Sequence, residues 1–95
     1  MNIEFDQAKD AANTAKHDVS LSQASEFEWD TAVVWQDTRR DYREERMCAI
    51  GYIGLRLHVV AFVDRDGARR IISLRKANRR EENRYAKARR PSDGL

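Results

Sequence analysis

The residues best suited to chemistry sit in the last third of the chain. Arg69-Arg70-Ile71-Ile72-Ser73-Leu74-Arg75-Lys76 is followed within a few positions by Arg79, Arg80, Glu81, Arg84 and Tyr85. A guanidinium is planar, always charged, and pairs with two oxygens of a phosphate at once. Aromatic rings set among arginines can stack on unpaired bases. Cleaving a ribose phosphodiester needs little more. A base takes the 2′-hydroxyl proton, cations hold the charge building on phosphorus, and an acid protonates the leaving oxygen. A metal is optional for that chemistry. Three groups could move the proton: His58, Tyr85 and Glu81. Each also has a plainer use. His58 alternates with Arg56 and Val60 in an apolar strand, Tyr85 can anchor an otherwise polar helix, and Glu81 suits the positive end of a helix dipole.

Other chemistries find no support. The potential metal ligands His17, His58 and Cys48 lack close pairing, so no metal site is expected. No glycine-rich phosphate loop or dinucleotide fingerprint is present, and no cofactor is expected. None of Ser20, Ser22, Ser25, Ser73 or Ser92 has a base and an orienting group at a suggestive spacing. Cys48 lies inside an apolar run and reads as a buried, unreactive thiol. A lone cysteine in so small a chain points to a reducing cytoplasm. No signal peptide is evident, and no apolar stretch approaches the roughly 20 residues that span a bilayer.

Charge is sharply divided. Residues 1–30 hold 2 basic and 7 acidic side chains, residues 31–64 hold 5 of each, and residues 65–95 hold 11 basic and 4 acidic. The basic end therefore faces an anion, and RNA fits best. The bland alternative is a solvated helix. With 36% charged and 41% apolar residues, the core must come from a few concentrated runs: Ala32 to Trp35, Met47 to Ile53 and Leu55 to Val63.

The elements that position these groups follow from local pattern. Met1 to Phe5 reads as a short strand. Asp6 caps a helix from Gln7 to Lys16, whose Ala8, Ala11, Ala12 and Ala15 form a narrow apolar face for packing on a sheet. Ser20-x-x-Gln23 fits a capping box for a second helix, with Leu21, Ala24 and Phe27 inward. Thr31 to Gln36 is β-branched and aromatic, hence a strand. Asp37 to Glu45 is almost wholly charged and reads as an exposed loop of the kind that carries function. Arg46 to Ile53 and Leu55 to Val63 are strands joined at Gly54. Asp66-Gly67 is a type I′ hairpin turn, and Ala68 to Leu74 is the last strand. Strict alternation puts Arg69, Ile71, Ser73 and Arg75 on one side, with Arg70, Ile72 and Leu74 on the core side. Asn78 caps a final helix that ends before Pro91. Only Tyr85, Ala86 and Ala88 give it anything to bury, so a partner is expected to cover it. The chain reads as one α+β domain over residues 1–90, of order β-α-α-β-β-β-β-α, with a disordered tail at 91–95.

This order and these motifs resemble the BrnT family of bacterial type II toxins. The matching pieces are Ile3-Glu4-Phe5-Asp6, Asn13, Lys16-His17, Val19, Ala24 and Arg56-Leu57-x-Val59-Val60. Arg70 to Ala77, Arg79-Arg80-Glu81 and Tyr85 complete them, and Ile72-Ser73-x-Arg75-Lys76-Ala77 is the most specific part. Phe5 stands where the family usually has tryptophan. Asp18 stands where a glycine usually follows the histidine, a site where left-handed backbone is expected and aspartate tolerates it. The resemblance implies a RelE-like fold with an antiparallel sheet and a growth-arresting, translation-blocking endoribonuclease that needs no metal. It also implies a BrnA-like antitoxin with a ribbon-helix-helix domain, whose complex with the toxin binds operator DNA. Arg75 would stabilise the phosphate, Lys76 and Arg70 would hold the RNA backbone with Arg69, Arg79, Arg80 and Arg84, and His58 or Tyr85 would carry the proton. The alternative is a basic binding module, without catalysis, for an acidic protein or nucleic acid.

Overall fold

The apolar runs become adjacent antiparallel strands. The computed structural model describes residues 1–90. Its elements are β1 (Asn2–Glu4), α1 (Gln7–His17), two short 3₁₀ turns (Leu21–Glu26 and Trp29–Thr31), β2 (Val33–Gln36), β3 (Met47–Ile53), β4 (Arg56–Arg65), β5 (Ala68–Lys76) and α2 (Arg79–Ala88). The strands form one sheet in the order β1-β5-β4-β3-β2. β2 to β5 make the expected meander, and β1 joins it parallel to β5. Asp66 and Gly67 both take positive φ in the β4–β5 turn, as an Asp-Gly hairpin requires. Asp18 also adopts left-handed backbone, φ 58°, at the end of α1. The tail expected to be disordered, residues 91–95, lies outside the described residues.

Each sheet face has its own core. On one face α1 and the first 3₁₀ turn cover Val60, Phe62, Ile71 and Leu74, together with Leu21, Ala24 and Phe27. On the other, Ile50, Leu57, Val59 and Ala77 pack with Trp35, Tyr52 and Tyr85 under α2. Gly51 is needed on the first face because a Cβ there would sit 2.6 Å from the Phe27 ring. Gly51→Ala is expected to cost about 1–3 kcal/mol by overpacking. A thermal melt checks this; an unchanged midpoint would mean the ring swings aside freely.

Three local expectations are corrected. The second helix is a 3₁₀ turn, and no Ser20–Gln23 capping box forms. The Ser20 hydroxyl instead accepts from the Ser22 backbone, while the Gln23 N–H donates to the Ser20 carbonyl. The alanines of α1 face outward: Ala8, Ala11, Ala12 and Ala15 are all exposed, and Asn13 is the buried residue. Hydrogen bonding outweighs the small apolar stripe. Asn13 donates to the carbonyls of Val19 (2.8 Å) and Leu74 (2.7 Å), and its Oδ1 accepts from the Leu74 N–H (3.2 Å). Asp10 accepts from the Ser20 hydroxyl and the Leu21 N–H. β1 pairs with β5 only as far as Arg70, so Asn13 serves the Leu74 backbone as a strand neighbour would.

The third correction concerns the faces of β5. Pairing with β4 jumps from Ala61–Ser73 to Phe62–Ile71, leaving Ile72 as a bulge. A bulge inverts the alternation beyond it. Ile71 and Leu74 therefore share the α1 face, and both are fully buried. Arg69 lies on that face too, while Ser73 and Arg75 are on the face under α2.

Candidate active site

Arg75 sits at the floor of a cleft of about 410 Å³ between the sheet and α2. Its strand neighbour is Val59, and Cys48 of β3 lies beside it. One wall is α2, carrying Arg80, Glu81 and Arg84. The other is Trp35 and Gln36 at the end of β2, with Asp37 to Arg39 following.

α2 is placed here by its first turn. Asn78 accepts from the Glu81 N–H and Glu81 accepts from the Asn78 N–H, each at 2.9 Å, completing a capping box. The same Glu81 carboxylate receives both arms of Arg75, at 2.8 and 2.7 Å. Glu81 is thus more than a helix-start residue: it ties α2 to β5 through Arg75. The Arg75 hydrogen bond is the largest cause of its lowered pKa, so Glu81 is ionised in the free protein. Arg80 and Arg84 have no carboxylate within 4.0 Å among the described residues. The Arg84 guanidinium lies 3.8 Å from the centre of the Trp35 ring.

The charged loop after β2 is ordered by one buried carboxylate. The Asp37 side chain is 2% exposed. It accepts from Nε and NH2 of Arg39 at 2.9 Å each, and from the Tyr42 hydroxyl at 3.2 Å. Its backbone N–H donates to the Arg46 carbonyl at 2.7 Å, closing the loop at its base. The Arg39 hydrogen bond is the main reason the Asp37 carboxyl is held far below its ordinary value of 3.8. A depressed folded-state pKa contributes stability above the unfolded value, and that contribution fades as pH falls through the folded one. Asp37→Asn should therefore lower the urea midpoint at about pH 7, and the loss should shrink at about pH 3. An equal loss at both would assign Asp37 a role independent of charge.

The cleft gathers Arg75, Arg80 and Arg84 from the expected set and leaves others outside. His58 lies on the opposite face, buried beside Gly51 and Lys76. Its Nδ1 is 2.9 Å from the Arg56 carbonyl, and burial lowers its pKa. Lys76 is exposed on that same far face. Arg69 is bound by Asp64 at 2.7 and 2.8 Å and packs over Phe62 and Trp29. Arg70 shares the face of Arg75 but lies at the far end of β5, 3.6 Å from Glu4. Arg79 is exposed, 3.9 Å from Glu82. Tyr85 packs edge-on against Tyr52, at 5.5 Å between ring centres, one turn beyond Glu81 on α2. Arg39, Asp37 and Trp35 were not among the expected site residues. The period-two pattern of Val33 and Trp35 and the Asp37-x-Arg39 spacing were their only traces in sequence.

The family model of the ribonuclease toxin BrnT of type II toxin–antitoxin systems matches residues 5–81. The chain belongs to the BrnT family of ribonuclease toxins. It is also similar to the ribonuclease toxin BrnT of Brucella abortus, known from a crystal structure at 1.1 Å resolution. The two share 31% identity and a TM-score of 0.66, over 83% of this chain and 99% of that one. No curated protein matches the chain. As a type II toxin, a BrnT protein implies an antitoxin partner. The BrnT match takes in Arg75 and Glu81 and stops short of Arg84 and Tyr85. No helix among the described residues is long and apolar enough to cross a membrane.

Proposed function

We propose that this BrnT-family toxin is an endoribonuclease whose centre is the Arg75–Glu81 pair, acting without a metal and inhibiting translation in the cytoplasm. The observation that carries the reading is a cleft with four guanidiniums and two carboxylates, in which Asp37 holds Arg39, Glu81 holds Arg75, and Arg80 and Arg84 have no carboxylate within 4.0 Å among the described residues. A phosphodiester entering the cleft competes with Glu81 for the Arg75 fork. Once the phosphate has it, the largest cause of the low Glu81 pKa is gone, and the carboxylate becomes a stronger base. Glu81 then takes the 2′-hydroxyl proton. The 2′ oxygen attacks phosphorus, the bond to the 5′ oxygen breaks, and a water in the open cleft supplies the proton to that oxygen, since Tyr85 packs on Tyr52 outside the cleft lining. Arg75 and Arg80 hold the charge in between. His58 and Lys76 stand on the other sheet face and take no part in this scheme, and Arg70 extends the face of Arg75 toward further phosphates.

The partner is proposed to be a BrnA-like antitoxin with a ribbon-helix-helix domain and an acidic segment that covers the cleft. Operator DNA is then met only through the complex, and residues 1–90 act as one toxin domain. The purified toxin, incubated with RNA in excess EDTA, is expected to cut it, and Glu81→Gln should slow the cut while binding persists. RNA bound by wild type but left whole would instead make the chain a basic binding module.

A further inference from the structure

We infer, on the ribonuclease reading above, that the Arg84–Trp35 stack is a nucleobase subsite, so that the substrate is single-stranded RNA with one base seated next to the scissile phosphate. Trp35 is half-buried, its ring packed against the apolar cluster of Ile50 and Val59, so its position is fixed by the sheet. Arg84 covers that ring at 3.8 Å yet is itself exposed. It has no carboxylate partner within 4.0 Å among the described residues, unlike Arg39, Arg69, Arg70 and Arg75. A guanidinium laid on an indole keeps one planar face bound and turns the other outward. That outer face is a platform for an aromatic ring, and a nucleobase has the matching flat surface. Arg80 is four residues back on the same helix and so adjacent to Arg84. It too lacks a carboxylate partner within 4.0 Å among the described residues, and it lines the same cleft as the stack and Arg75. A base on Arg84 would thus leave its phosphates in the cleft that Arg80 and Arg75 also line. A paired base has its faces covered by its neighbours in the duplex and cannot reach the platform. At the β4–β5 turn, by contrast, Arg69 is already held by Asp64 and stacked on two rings, so it has no free face for a base.

The test uses the full chain and fluorescence anisotropy with two short probes. One is a single-stranded oligoribonucleotide blocked by 2′-O-methyl groups, and the other is the same sugar-phosphate chain without bases. Wild type should prefer the base-bearing probe by roughly tenfold or more, since stacking on a protein platform is worth about 1–3 kcal/mol per base. Arg84→Lys keeps the charge and removes the plane. It should lose most of that preference while binding the abasic probe as wild type does. Trp35→Phe, which keeps a ring in place, should retain part of the preference. Equal binding of both probes by wild type, or an unchanged preference in Arg84→Lys, would overturn the subsite. Cleavage of unmodified RNA, read separately, decides the ribonuclease reading. Cutting without base preference sinks the subsite alone, and base preference without cutting sinks the nuclease alone.

Discussion

Arg75→Ala should lower the rate of RNA cleavage by at least about a hundredfold, because it removes the fork aimed at the reacting phosphate. In cells the same change should abolish growth arrest. The effect on folding should be small. Arg75 is 37% exposed, and a partly exposed ion pair contributes only about 0–1 kcal/mol. Glu81 keeps its second task in the capping box, so α2 retains its first turn. Arg75→Lys separates charge from shape: a single ammonium cannot span both Glu81 oxygens or grip a phosphate bidentately. It should recover part of the binding and little of the rate. Cleavage by purified Arg75→Ala protein at the wild-type rate, or undiminished arrest on induction, would remove Arg75 from the centre of the mechanism.

Asn13→Ala should have the largest effect on stability. It removes three buried hydrogen bonds, leaving the Leu74 N–H and carbonyl without their side-chain partner and the Val19 carbonyl with only the 3.4 Å bond from the Thr14 hydroxyl. An orphaned buried group costs about 1–3 kcal/mol. A total near 3 kcal/mol is expected, which in a domain of this size lowers Tm by roughly 12–24 °C. The damage should reach the active site as well, because Leu74 precedes Arg75 and its backbone would lose its anchor to α1. Asn13→Asp makes the sharper comparison. The carboxylate still accepts from the Leu74 N–H but faces two carbonyls it cannot bond. Protonation restores one donor, so this variant should regain stability as pH falls. Thermal melts of the two variants across pH decide the matter. A uniform loss in Asn13→Asp at every pH would mean that packing at this site matters more than its hydrogen bonds.

Much of the molecule was legible in local pattern. The strand runs, the Asp66-Gly67 turn and the caps at Asp6 and Asn78 all depend on near neighbours, and near neighbours are what a sequence displays, while the left-handed backbone at Asp18 was expected from the family resemblance. The basic character of the last third was likewise plain. Period and capping, however, say nothing of which partner a side chain meets across the fold. Alanine spacing pointed α1 the wrong way round, because its orientation is settled by Asn13 and Leu74, 61 residues apart.

The basic segment shows the division most clearly. Its sequence alone determined that many guanidiniums lie close together beside Tyr85, and the family resemblance singled out Arg75. Tertiary structure decided which of them share one cleft. One unpaired residue, Ile72, turns Arg69 to the far face while Arg75 stays under α2. The β4 alternation then puts His58 out of reach, and the distant Trp35 and Arg39 are brought in by β2 and its loop. Register is a property of two strands, and a bulge in one of them re-aims every side chain beyond it.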